Sequence, residues 1–314
     1  MDLVNVVDDT HFDTSYQSEH IYNLVKDFAK TQRMGVLWIS VGGSRHFGWD
    51  DVHSDYDVYA VFYRSWRRYC GITKYKETYE LSYQQNPPIN ITLYDIKKVL
   101  TLLRASNKRI IEMFHQTIIK DCPELRMLAC SSIRTKPMLF GYYNAASETI
   151  RKLQNQPKRY FPTIYGILTI GKFLLLHTHS DPIDPSDHVE THESQHENLR
   201  SSLNASLSID VSVVDHDDYN DERNNYDEPN ESNIIDPSLP LVDLLQFAPD
   251  PVVPMIKEIL VQKKSGLEIV ANPALLEWIK EALETLSEFV HQLPSEPAPD
   301  TRIYDKVMHY VLMR

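Results

Sequence analysis

Apolar positions along the first third of the chain alternate between two periods. Within Ser18–Arg33, Ile21, Leu24, Val25 and Phe28 recur at three- and four-residue spacing, which predicts an amphipathic helix. The apolar run Val36–Val41 has the length of a buried strand and stops at Gly42-Gly43-Ser44. From Asp55 to Phe62 polar and apolar residues alternate, so a second strand would project Asp55 and Asp57 from one face with Tyr59 behind them. Thr78–Tyr83 and Ile89–Tyr94 read as two more strands, joined through Gln-Gln-Asn-Pro-Pro in a hairpin-like connection. Helical spacing returns over Asp95–Leu103 and Lys108–Ile119, with Ser106-Asn107 as the break. Beyond this point every ordered stretch reads as helix: Leu125–Leu153, Tyr160–His177, Leu241–Phe247, Pro254–Lys264, Pro273–Leu293 and Thr301–Met313. The exposed faces of the later helices are expected to carry Lys257, Lys263 and Lys264. The pattern predicts an α+β fold, with a small mixed sheet over residues 1–124 and a helical domain over residues 125–314.

Residues 180–238 break the pattern. They are rich in Asp, Asn, Ser, Glu and His, their single apolar patch at Ile209–Val214 is short, and they read as a disordered insert. They hold sixteen Asp and Glu against Arg200 and Arg223, a local charge of −14. The formal −12 of the chain is therefore confined to this insert, since the rest carries 28 acidic against 30 basic residues. The global charge does not exclude a polyanionic substrate. His192-Glu193-Ser194-Gln195-His196 matches the HExxH zinc-protease pattern, but its neighbours supply no apolar face to dock such a helix, and no protease is expected. Cys70, Cys122 and Cys130 show no paired spacing, which speaks against a disulfide framework and for a reducing, cytoplasmic setting. No apolar run is long enough to span a membrane.

The chemistry concentrates between Gly42 and Asp57. Two glycines let backbone approach a ligand closely, and the following Ser44 offers a hydroxyl of the kind that holds phosphate. Asp55 and Asp57 on one strand face repel each other unless a cation lies between them, and paired carboxylate oxygens suit Mg2+ or Mn2+. Further along, Arg64, Arg67 and Arg68 gather around Trp66 and Tyr69, either as a solvated turn or as a rim for phosphates and bases. Arg104, Lys108, Arg109, Lys158 and Arg159 are ordinary surface charges or candidate phosphate contacts.

The order strand, Gly-Gly-Ser turn, spacer and Asp-x-Asp strand resembles the nucleotidyltransferase superfamily typified by DNA polymerase beta. The wording GSRHFG, then HSDYDVYAVF, then INITLYDIKKVLTLLRASNKRIIEMF is similar to a narrower group, the RlaP or YcgL-like nucleotidyltransferases linked to RNA repair, over Gly42 to about Leu125. The resemblance implies that Gly43, Ser44 and Arg45 bind the nucleotide, that Asp55 and Asp57 bind catalytic Mg2+ or Mn2+, that ATP is the first candidate among triphosphates, and that the acceptor is an RNA 3' end. It also implies a third carboxylate, and the matching position is Asn90. An Asn can offer a metal its carbonyl but carries no charge and takes up no proton. Asp95, which also reads as a helix N-cap, and Glu80 are the other candidate acids for that role. The alternatives are a weakened, nucleotide-binding member and a transferase acting on protein or a small molecule.

Overall fold

The computed structural model describes residues 14–153, 156–178, 237–270 and 272–313. Most of the insert expected at 180–238, and the HExxH match inside it, lie outside the described residues. The fold is α+β. Helix α1 (Thr14–Thr31) leads into β1 (Gly35–Gly42), the short α2 (Gly43–Phe47), β2 (Tyr56–Tyr63), α3 (Trp66–Cys70), β3 (Thr78–Tyr83) and β4 (Ile89–Asp95). Then follow α4 (Ile96–Arg104), α5 (Lys108–Met113), β5 (Thr117–Lys120), α6 (Pro123–Ser131), α7 (Thr135–Ile150) and α8 (Tyr160–Thr178). The C-terminal part supplies α9 (Leu241–Leu244), α10 (Val253–Lys264), α11 (Pro273–Gln292) and α12 (Thr301–Met313).

The sheet order is β3-β4-β2-β1-β5, with β2 and β4 parallel and the other neighbours antiparallel. Strand alternation sorts β2 between two cores. Tyr56, Val58, Ala60 and Phe62 pack toward α1, where Ile21, Val25 and Ala29 form a four-residue-spaced stripe. Val61 and Tyr94 face the opposite core, which runs without a gap from Leu37 and Trp38 through α4–α8 to Leu283 and Val290 of α11. The segments on either side of residue 124 therefore share one core, as do the sheet and the later helices. Asp57 and Tyr59 point to this same helical side, at the end of β2 where the covering helices stand back.

Two helices read from the sequence divide. The stretch 108–119 stops being helical at Met113: the turn tightens, with the N–H of Phe114 donating to Ile111 O and that of His115 to Glu112 O. Thr117-Ile118-Ile119 then forms β5 along the free edge of β1, because three β-branched residues gain more from a pleated ladder than from helix. The stretch 125–153 breaks between Ser131 and Thr135. There the start of α7 is capped by Glu296, whose carboxylate oxygens accept from Thr135 N at 2.8 and 3.1 Å. Lys263, expected on an exposed face, is buried. Among the described residues, no helix is long and apolar enough to cross a membrane.

Candidate active site

The corner from β1 into α2 is built around absent side chains. Gly43 sits at φ +64°, a left-handed conformation that other residues adopt at a cost, and a Cβ there would lie 2.1 Å from Asp57 Oδ2. The Asp57 carboxylate thus rests directly against the Gly-Gly-Ser turn, as the pairing of Asp57 with Gly42 requires. Burial, and then the charge of Asp55, push the Asp57 carboxyl up to about 6, against an opposing pull from Arg109.

Asp55 lies beside it, just before β2. Its Oδ2 accepts a 2.6 Å hydrogen bond from Asn90 Nδ2, and Asn90 is level with Asp57 on the adjacent β4. Asn90 is itself oriented, since Ser82 Oγ donates to its Oδ1 at 2.8 Å and Gln84 Nε2 donates to Ser82 Oγ at 3.1 Å. The structure thus brings Gly43, Asp55, Asp57 and Asn90 to one place. Asp95 stands elsewhere: it pairs with Phe62 at the other end of the same strands, about 16 Å along β4 from Asn90 at ordinary strand rise. It caps α4, accepting from Lys97 N at 2.9 Å and Tyr69 Oη at 3.0 Å. The N-cap reading of Asp95 holds, and its position removes it as a substitute for Asn90. Glu80 is opposite Thr92 on the exposed edge strand β3, on the same sheet face as Asn90 but with β4 between it and Asp57.

Arg45 and the loop after α2 hold the corner in shape. The Arg45 guanidinium stacks 4.1 Å from the Tyr56 ring, donates to the backbone carbonyls of Ser54 and Asp55, and pairs with Asp50 at 3.5 Å. These partners account for a side chain that is only 8% exposed, and they make Arg45 a clamp on the loop that delivers Asp55. From the far C-terminal side, Lys263 of α10 forms an ion pair with Asp51 and donates to Ser54 Oγ at 3.2 Å. The burial of Lys263, unforeseen from sequence, is explained by this pair.

A cavity of about 870 Å³ opens beside Gly43 and Tyr59, walled by α2, α5, α7 and α8. Lys108, Arg109 and Arg159 line it, so three of the cations singled out in the sequence meet here. Lys108 is held by Glu112 at 3.0 Å and lies over Tyr142, and Arg109 lies over Tyr59. Arg104 and Lys158 are not among the lining residues, and Arg104 donates instead to Pro299 O at 3.4 Å. Phe47, Trp49 and Tyr165 add an aromatic wall that the sequence reading did not anticipate, because Tyr165 arrives from a helix far along the chain. The Arg64–Arg68 cluster is at the opposite end of β2, and its Arg64 is buried, donating to Tyr79 Oη at 2.7 Å.

The donor set fits a hard divalent cation. Two carboxylates share the corner, while Asn90 turns its amide nitrogen to Asp55 and its oxygen to Ser82, so the oxygens available to a cation are those of Asp55 and Asp57. Among the described residues, no group of three or more His, Cys, Asp or Glu forms a metal cluster, so this is a two-carboxylate site.

A glycine turn holding a carboxylate beside a cation-lined cavity is the arrangement a nucleotidyltransferase-like protein needs, and the family match places the chain in that class. The chain belongs to the RNA repair pathway DNA polymerase beta family, which it matches over residues 18–211. It is similar to the uncharacterized protein YcgL of Bacillus subtilis (strain 168), with 22% identity over 175 residues, covering 53% of this chain and 66% of that protein's length. The crystal structure of a nucleotidyltransferase-like protein from Exiguobacterium sibiricum 255-15 is similar at 12% identity over 95% of this chain and 80% of that one, with a TM-score of 0.27, too loose a superposition to bear on the fold.

Proposed function

We propose that the protein is a divalent-cation-dependent nucleotidyltransferase that moves a nucleotidyl group from a nucleoside triphosphate, ATP being the first candidate, to an RNA 3' end. The observation that carries this reading is the lodging of the Asp57 carboxylate against Gly43, with Asp55 beside it, at a cavity lined by Lys108, Arg109 and Arg159. The RNA acceptor rests on the family's description alone. A reducing compartment such as the cytosol suits the three free cysteines.

In this reading the acceptor hydroxyl gives up its proton to solvent as its oxygen bonds to the α-phosphorus, the bond from the α-phosphorus to the α–β bridging oxygen breaks, and pyrophosphate leaves. Asp55 and Asp57 would hold Mg2+ or Mn2+, which would supply positive charge to offset the negative charge developing during the transfer. The Gly43-Ser44 turn lets the triphosphate come close to backbone, and the cavity's cations offset its charge. Arg45 and Lys263 keep the 48–55 loop, and with it Asp55, in place.

Asn90 favours a second reading, a member that binds nucleotide and turns it over slowly or not at all. It occupies the strand position level with Asp57 and has no group that accepts the acceptor's proton. Incubation of the full chain with each α-labelled triphosphate and Mg2+ or Mn2+, against total RNA, DNA and protein, separates the cases. Label on RNA that disappears in Asp55→Asn and Asp57→Asn, with both variants still folded, supports the first reading. Saturable binding without transfer supports the second, label on protein replaces the acceptor, and neither binding nor transfer sinks both.

A further inference from the structure

We infer that the end of the sheet remote from Asp57 carries a docking surface for single-stranded RNA, on which Trp66 stacks against an unpaired base and the surrounding cations hold the flanking phosphates. The inference rests on the RNA half of the reading above and gives that half a surface. It does not depend on catalysis at Asp55 and Asp57.

Three stretches form the surface, and one buried knot holds them together. The buried Asp95 accepts from Tyr69 Oη at 3.0 Å, and Tyr69 Oη in turn accepts from Arg64 N at 3.0 Å. The Tyr69 ring meets that of Tyr75 edge-on at 5.7 Å, and the Arg64 guanidinium lies 5.7 Å over the same Tyr75 ring. Asp95 N donates to Glu77 O at 2.8 Å, which ties the loop before β3 to the start of α4. Helix α3, the loop 71–77 and the first turn of α4 are thereby fixed side by side.

What these stretches present to solvent is positive charge. Residues 64–76 hold five cations and no Asp or Glu, and α4 opens on Ile96-Lys97-Lys98. Arg64 is turned inward, donating to Tyr79 Oη. Arg67, Arg68, Lys74, Lys76 and Lys97 are exposed, and neither they nor the half-buried Lys98 form an ion pair with a described residue. The one exposed acid in the three stretches is Glu77. Cations gathered at this density repel one another, and a polyanion relieves that repulsion.

An aromatic ring stands among them. Trp66 is 57% exposed, with the Arg67 guanidinium 5.8 Å over its ring. An exposed indole beside arginines suits a base that is not already stacked in a duplex, which selects a single strand. Charge and apolar exposure at Trp66 and Ile72 would also suit an anionic lipid surface. Against that, α3 has five residues and supplies no apolar helix face to sink into a bilayer, and the family is one of RNA repair. The surface begins past Phe62, about 16 Å along β2 from Asp57 at ordinary strand rise. A mononucleotide in the corner does not span that distance, so the surface takes the body of a polynucleotide.

The test is equilibrium binding of a single-stranded RNA of about twelve nucleotides to the full chain, without triphosphate and across a salt series. Labelled RNA reports affinity, intrinsic fluorescence reports stacking, and thermal unfolding checks the fold. Trp38, Trp49 and Trp278 are buried, so RNA should quench the unaltered chain and the quench should vanish in Trp66→Ala. The same variant should bind about five- to a hundredfold more weakly, with Trp66→Phe recovering most of the loss. Arg67→Gln combined with Arg68→Gln should flatten the slope of log affinity against log salt by about 1.4, two phosphate contacts' worth on a single strand. Should Trp66→Ala fail to fold, the salt slope of the arginine variant decides. Unchanged affinity in Trp66→Ala, or an unchanged slope in the arginine variant, overturns the inference. So does tighter binding of phosphatidylserine vesicles than of RNA, which would assign the face to a membrane, or inorganic polyphosphate binding as tightly as RNA, which would leave no base contact. If these binding results fail while label still passes to RNA in the transfer experiment, the proposed function stands without this surface. RNA bound as expected with no label transferred leaves the surface standing and the transferase reading overturned.

Discussion

Asp57 is placed where the proposed function and stability oppose each other. Its carboxyl is pushed up to about 6 by burial and by Asp55, above the value of about 3.9 expected in an unfolded chain. Its contribution to stability is therefore complete below about pH 4 and is lost as pH rises through about 6. In metal-free protein Asp57→Asn should raise stability at pH 7 by about 1–3 kcal/mol while abolishing transfer, and Mg2+ should stabilise the unaltered chain but not the variant. Denaturant titrations with chelator and with Mg2+ check this, and a destabilised Asp57→Asn would contradict it. Asn90 poses the complementary question. Asn90→Asp supplies an acid level with Asp57, so turnover should rise by about ten- to a thousandfold with little change in triphosphate affinity. If Glu80 already acts, Asn90→Asp lowers activity and Glu80→Gln is the damaging change; kinetics on the two variants distinguish them, and no response from either sinks both versions. The candidate site was legible as far as it is local. Gly42, the neighbour of Gly43, and Asp57 face each other on adjoining strands only fifteen residues apart, a separation short enough for the two to be read as one corner. Strand β5 was hidden because its stretch reads as helix, and its partner β1 lies far from it in sequence.

Elements were most legible where one face alone decides them. Helix α1 and strands β1 to β4 follow from their apolar stripes, whereas the break before α7 depends on a cap from Glu296, 161 residues away, and no local pattern contains it. The same distance hid the clamp between α10 and the loop before β2. Lys263 sits on a helix whose lysines looked interchangeable, yet its amine pairs with Asp51 and reaches Ser54. Burial works against the Asp51 carboxylate, but hydrogen bonds from Lys263 and Ser54 outweigh it and hold its pKa down to about 2. A depressed carboxylate contributes stability above its unfolded value and loses it as pH falls toward the folded one. Lys263→Met should therefore cost about 1–3 kcal/mol at pH 7, between the values for surface and buried pairs, with the gap to the unaltered chain narrowing below about pH 4 and closing near pH 2. Urea unfolding at a series of pH values measures the gap. A cost that does not vary with pH would mean that Lys263 acts through packing and not through Asp51. Because the same loop carries Asp55, transfer should fall alongside stability.

At the scale of the whole molecule, charge and core are separated along the chain. The shared core reaches from the sheet to α12, while sixteen acidic residues fall within the stretch between α8 and Pro237. The described ends of that stretch set what could replace it. Tyr165 Oη donates to Pro237 O at 3.2 Å, so the returning chain meets α8 near its start. Helix α8 runs on to Thr178, about 20 Å further at 1.5 Å per residue. A bypass of residues 179–236 must cover that distance, which needs at least about six extended residues, and a Gly/Ser linker of about twelve leaves slack. If the stretch adds nothing to the core, the bypassed protein should melt within about 2 °C of the full chain, and a larger fall would place part of the stretch in the fold. The charge consequence is larger. Removing the sixteen acids together with Arg200 and Arg223 changes the formal net charge from −12 to +2. Long-range repulsion of a polyanion then disappears, so single-stranded RNA should bind the bypassed protein more tightly at low salt, with the advantage fading as ionic strength shortens the screening length to about 8 Å near 0.15 M. Filter binding of one oligonucleotide across a salt series reads this directly. Weaker RNA binding after the bypass would show that the acidic stretch contributes contacts of its own, and an unchanged salt slope would show that its charge is never felt at the binding surface.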